Sequence, residues 1–127
     1  MISQVKISRK HFDAFRKECN RWMQRYGLSD WRVTFQHEDL YGQTWATCER
    51  NPESRLASLT LATWVVPGGS PVDAETISDT AHHEVLHILL AELTALVFRR
   101  SVQEEEIDGS EHAIVNRIIA ATKEGTE

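Results

Sequence analysis

Between residues 73 and 98 the chain carries a helical pattern that is apolar around most of its circumference. Placed at ~100° per residue, Val85, Leu86, Leu89, Leu90, Leu93, Leu96 and Val97 fill one side. Thr76, Thr80, His83, Glu84, His87, Ala91 and Thr94 fall on a single polar arc, with Ile77 at its margin. A helix so apolar has to lie centrally in the fold, and ionisable side chains on it need partners there. His83-Glu84-Val85-Leu86-His87 concentrates such groups in the pattern H-E-x-x-H. In that pattern two imidazoles four positions apart face the same way on a helix and can bind one zinc ion.

The 127 residues predict a single domain spanning residues 1–127, with one hydrophobic core. Hydrophobic residues at 41% and charged residues at 26% fit a globular chain and leave no room for a disordered or fibrous class. Residues 8–26 predict an amphipathic helix: Phe12, Phe15, Cys19, Trp22, Met23 and Tyr26 recur at three- and four-residue steps, Ser8 can cap the start, and Gly27 can close the end. The period then changes to two. Trp31, Val33 and Phe35 alternate with polar residues, and residues 44–49 and 56–63 form two further strand-like runs separated by Asn51-Pro52-Glu53-Ser54. Short connections favour antiparallel hairpins, although sheet order is not readable. Pro67-Gly68-Gly69-Ser70-Pro71 breaks the chain before the central helix, and a last helix is expected from about Ser101 to about Lys123, with Ser101 and Glu104 as a capping box or a later start at Ser110.

No apolar run approaches the roughly 18 residues that span a bilayer, and Met1 to Lys6 lacks an apolar signal segment, so a cytoplasmic protein without membrane contact is expected. Cys19 and Cys48 stand in separate segments rather than in a C-x-x-C pair, and both are expected as small buried or half-buried hydrophobes. The net charge of −5 divides into +5 over residues 1–32 and −10 over the remainder. The first helix is therefore basic, but the acidic body argues against a protein built mainly to grip nucleic acid. A solvated helix face is the simpler reading.

Zinc prefers a tetrahedral shell, so two histidines leave room for one more protein ligand and a water. From His87 to Phe98 the helix would run roughly 16 Å. A chain that turns at Arg99 to Ser101 and returns antiparallel then brings Glu111 and His112 level with His87. Glu111 shares its face with Ile107, Ile114, Ile118 and Ala121, whereas His112 aligns with Asp108, Val115 and Ile119 towards the side, which favours Glu111 as third ligand over His112. Glu104, Glu105 and Glu106 read as a solvated acidic face. Glu84 projects beside the metal pair and suits a general base for a metal-activated water. Tyr41, His82 and His112 are all candidates for an oxyanion donor, with His82, rotated about 100° from His83, read as structural.

The order of elements, with Trp31-Arg32-Val33 after the first helix, the strand 56–63, the H-E-x-x-H helix and Glu111-His112-Ala113-Ile114-Val115 on a return helix, resembles the SprT-like and minimal gluzincin zinc metallopeptidase domains, including small phage-encoded metallopeptidases. That resemblance implies a zincin-like α+β fold: an N-terminal helix, a three-stranded mostly antiparallel sheet, a central H-E-x-x-H helix and a C-terminal return helix. It implies Zn2+ held by His83, His87 and Glu111, Glu84 as catalytic carboxylate, and an extended peptide or protein substrate held by edge pairing along the strand 56–63. It does not extend to a Cys-rich zinc ribbon, so the DNA-linked roles of larger relatives are not carried over. The alternative function is a non-catalytic binding or regulatory domain with zinc as a fold staple and His112 in the fourth position.

Overall fold

A computed structural model describes residues 4–68, 70–97 and 104–125. A short strand, β1 (Val5–Lys6), leads into helix α1 (Arg9–Arg25). Ser8 caps this helix: its hydroxyl accepts the His11 N–H at 3.4 Å, while the Ser8 N–H donates to His11 Nδ1 at 2.9 Å. Histidine thus fills the capping-box place that Glu or Gln usually holds. At the other end Gly27, at φ +68°, donates to the Gln24 carbonyl and Leu28 to the Met23 carbonyl, so the last turn closes as a Schellman motif. Phe12, Phe15, Cys19, Met23 and Tyr26 are buried along its inner face, as their spacing predicts.

Strands β2 (Arg32–Glu38), β3 (Ala46–Asn51) and β4 (Leu56–Ala62) form a three-stranded sheet in the order β2-β4-β3. β3 and β4 make an antiparallel hairpin whose turn is held by Asn51 Oδ1, which accepts the N–H groups of Glu53 and Ser54. β2 pairs with β4 in parallel register, Val33 with Ala57, Phe35 with Leu59 and His37 with Leu61. The sheet is therefore mixed and not mostly antiparallel. Three successive strands alternate in direction, and the hairpin inserts the third between the first two, so first and third run the same way. A second correction follows from this order. The strand 56–63, expected to offer an edge to a peptide, is the central one and is paired on both sides. β2 and β3 are the two edge strands of this sheet.

β5 (Trp64–Val65) pairs antiparallel with β1, a small second sheet that the sequence does not announce. Helix α2 (Ala74–Leu89) follows, capped by the Asp73 carboxylate, which accepts the Thr76 N–H at 2.8 Å. The long helix expected to about residue 98 is instead two helices, since α3 (Ala91–Val97) starts anew after a turn at Leu90. No Gly or Pro marks the break. Around it the Leu90 carbonyl accepts both the backbone N–H and the hydroxyl of Thr94, each at 3.0 Å, and Glu92 reaches Arg55 at 3.6 Å, tying α3 to the β3–β4 turn. Helix α4 (Glu104–Gly125) completes the chain; the expected capping residue Ser101 lies outside the described residues.

α1 and α2 pack against each other on one face of the sheet, α1 over β2 and α2 over β3. Phe15 meets Phe35 edge-on at 6.5 Å and Phe12 stacks on His37 at 5.1 Å, so the alternate β2 residues Val33, Phe35 and His37 face the helices. Leu59, Leu61, Ile77, Ala81, Val85 and Ile88 complete the core between the layers. α4 packs on α1 and α3, burying Ile114 and Ala121. Among the described residues no helix is long and apolar enough to cross a membrane.

Candidate active site

The polar arc of α2 opens into a cleft of about 740 Å³ between that helix and β3. Its floor is α2, with Thr76, Asp79, Thr80, His83, Glu84 and His87, and its opposite wall is Ala46, Thr47, Cys48 and Arg50, continued by Gln43, Thr44 and Trp45. Ala46, Cys48 and Arg50 pair with Leu61, Leu59 and Ala57, residues of the helix-facing side of β4, so the two-residue period turns all three toward α2.

His83 and His87 lie one helical turn apart with ring centroids 5.0 Å apart and planes at 79°. Burial, aided by the charge of Arg50 and by His83, lowers the pKa of His87, which favours the neutral imidazole that ligates metals. Glu84 is 5% exposed and lines the cleft beside His83 and His87. Burial pushes its carboxyl above the usual carboxylate range, opposed by His83 and Arg50. Thr80 donates its hydroxyl to the Thr76 carbonyl at 2.8 Å, which settles a polar group of the arc within the helix itself.

The chemistry and placement of these two imidazoles fit a divalent ion that takes nitrogen ligands. A third ligand is not gathered with them: among the described residues no group of three His, Cys, Asp or Glu side chains is placed to hold a metal ion. Glu111 and His112 stand exposed on α4 and do not line the cleft. The break at Leu90 accounts for this, because the expected register of Glu111 with His87 assumed one straight helix to residue 98 and a return along it. α4 instead follows α3 and α1, and while Ile114 and Ala121 face inward as expected, Ile118 and Glu111 on the same stripe are exposed.

The three oxyanion candidates are also elsewhere. Tyr41 is 77% exposed on the loop before β3 and outside the cleft lining. Its backbone is left-handed at φ +60°, held by the Asp39 carboxylate, which accepts the Tyr41 N–H at 2.7 Å and the Trp64 indole N–H at 2.9 Å. His82 shares a 2.5 Å hydrogen bond with the Tyr26 hydroxyl and stacks on Trp22 at 3.8 Å, which makes it a tie between α1 and α2.

Sequence reasoning passed over Cys48, Arg50 and Asp79. Asp79 was findable, since it precedes His83 by one helical turn. Cys48 and Arg50 share a strand face, but which face meets the helix depends on a sheet order that the sequence does not carry. Cys48 and Cys19 are both free thiols. No family model, no curated protein and no solved structure matches this chain.

Proposed function

We propose that this protein is a zinc-dependent peptidase of zincin-like fold that hydrolyses peptide bonds of an extended substrate. The observation that carries this reading is the buried carboxyl of Glu84, next to the paired imidazoles of His83 and His87, on the floor of a cleft walled by an open-edged strand. His83 and His87 would hold the metal; Glu111, the third ligand that the family resemblance implies, stands on α4 outside the cleft lining. Bound zinc supplies Lewis acidity and brings the pKa of a water near 7.

The chain's own groups account for the rest. A carboxyl whose pKa is raised by burial is a stronger base than a solvated one, so Glu84 is suited to take a proton from the attacking water. The resulting carboxylic acid then delivers that proton to the leaving nitrogen. β3 offers main-chain N–H and C=O groups along its open edge, the requirement for holding a peptide as an added strand. That role passes from β4, where the resemblance puts it, to β3.

A diverse peptide pool incubated with the purified protein, with and without chelator, tests the proposal. Chelator-sensitive cleavage is expected. Absence of cleavage under every metal condition would leave the binding-domain alternative in its place.

A further inference from the structure

Arg50 is the lone lysine or arginine among the described residues that line the cleft. It is the fifth residue of β3, on the face that Ala46 and Cys48 also present to α2, and it lies about 6.6 Å along the strand from Cys48. Several other arginines of the chain have partners. Arg9 and Arg21 pair with carboxylates of α1, Arg55 pairs with Asp30 and Glu92, and Arg16 and Arg25 rest over the rings of Phe12, Phe35 and Trp22. Arg50 makes no ion pair among the described residues, although Glu84 shares its cleft.

We infer that Arg50 is a specificity-determining residue, and that the cleft takes extended peptides carrying an acidic side chain opposite it. This deepens the peptidase reading and rests on it for the bond to be cut, though not for the binding itself. A peptide paired to the open edge of β3 sends alternate side chains to the α2 side, with Cβ atoms about 4.5–5.5 Å from their cross-strand neighbours. Within that reach the planar guanidinium fork matches a carboxylate with two parallel N–H···O bonds. Arg50 is exposed, and its side chain lines the same cleft as Glu84 and His87.

The global charge makes the inference sharp. Beyond residue 32 the chain carries net −10, so diffuse electrostatics favour basic peptides. A preference for acidic ones has to come from a local cation, and the cleft has Arg50.

The test uses the full chain carrying Glu84→Gln, so that bound peptide is not consumed, and fluorescein-labelled peptides matched to the 6 residues of β3. The peptides are identical except for one Glu, Gln or Lys, and binding is read by fluorescence anisotropy. The Glu peptide is expected to bind about three- to tenfold more tightly than the Gln peptide. Adding Arg50→Gln should erase that preference, and Arg50→Glu should turn it toward the Lys peptide; thermal melts show that each variant is folded. Equal binding of all three peptides, or a Glu preference that survives Arg50→Gln, overturns the inference and leaves the peptidase reading standing. A charge preference that follows Arg50, alongside no cleavage by the Glu84 protein, upholds the inference and removes the peptidase reading. If no peptide binds at all, both fail.

Discussion

The Tyr26 hydroxyl and the His82 imidazole meet at 2.5 Å across the interface between α1 and α2, one residue before His83. Trp22 stacks on the same imidazole at 3.8 Å with planes only 6° apart. His82 therefore fixes the rotation of α2 about its axis, and the direction in which His83 faces follows from it. Tyr26→Phe removes the hydrogen bond alone and should cost about 0.5–1.5 kcal/mol. His82→Ala also removes the ring stacking, worth about 0.5–1.5 kcal/mol more, and should weaken zinc binding as well. Chemical denaturation and zinc titration of the two variants check both effects; equal stability losses would show that the stacking contributes nothing.

Gly42 stands where no side chain fits. At φ +71° its backbone is in the left-handed region, and an added Cβ would lie 2.5 Å from the Trp64 ring. Gly27 has a similar φ of +68° but open space around it. Gly27→Ala should therefore cost the backbone penalty of about 1–2 kcal/mol, and Gly42→Ala should exceed it. Urea midpoints compare the two.

The thiols of Cys19 and Cys48 make stability fall in alkali. Burial is the largest cause in both, followed by the charge of Glu84; it pushes Cys48 up to about 11 and Cys19 well beyond the thiol range. Both folded-state values lie above the unfolded value of about 8.5, so the folded chain holds protons that the unfolded chain releases. Their contribution is intact below pH about 8.5 and is lost as pH rises through the folded value. Melting temperatures of metal-free protein should decline above that pH, and Cys48→Ala should flatten the decline. A pH-independent melting temperature up to pH about 10 would contradict this.

Zinc binding should fail in His83→Ala and His87→Ala by more than the roughly 10- to 100-fold that outer-shell partners cost. Glu111→Ala and His112→Ala, both on α4 outside the cleft lining, should leave it unchanged. Metal analysis of the four purified variants reads this directly, and weakened affinity in Glu111→Ala would return Glu111 to the ligand set that the family resemblance implies.

What could be read in the sequence was whatever depends on local period and capping. Ser8, Gly27 and the buried face of α1 follow from residue spacing, and so do the polar arc of α2 and the buried position of Glu84 on a central helix. The parallel pairing of Phe35 with Leu59 is a long-range choice with no local signature, and it decides that β4 is central and β3 an edge strand. The turn at Leu90 carries no Gly or Pro, and the pair Glu92–Arg55 joins residues far apart in the chain. That unread turn separates the expected path of the last helix from the path along α1 and α3, and with it the expected meeting of Glu111 with His87. Arg50 was hidden for the same reason as the sheet order.

The proposed function requires Glu84 to perform proton transfer at a metal site made by His83 and His87. Zinc content and peptide cleavage measured side by side in the Glu84 protein and in Glu84→Gln test it most directly. Equal zinc is expected in both, with cleavage lower in Glu84→Gln by about 10²–10⁴-fold. Equal cleavage by the two, or zinc-loaded Glu84 protein that cleaves nothing, would contradict it.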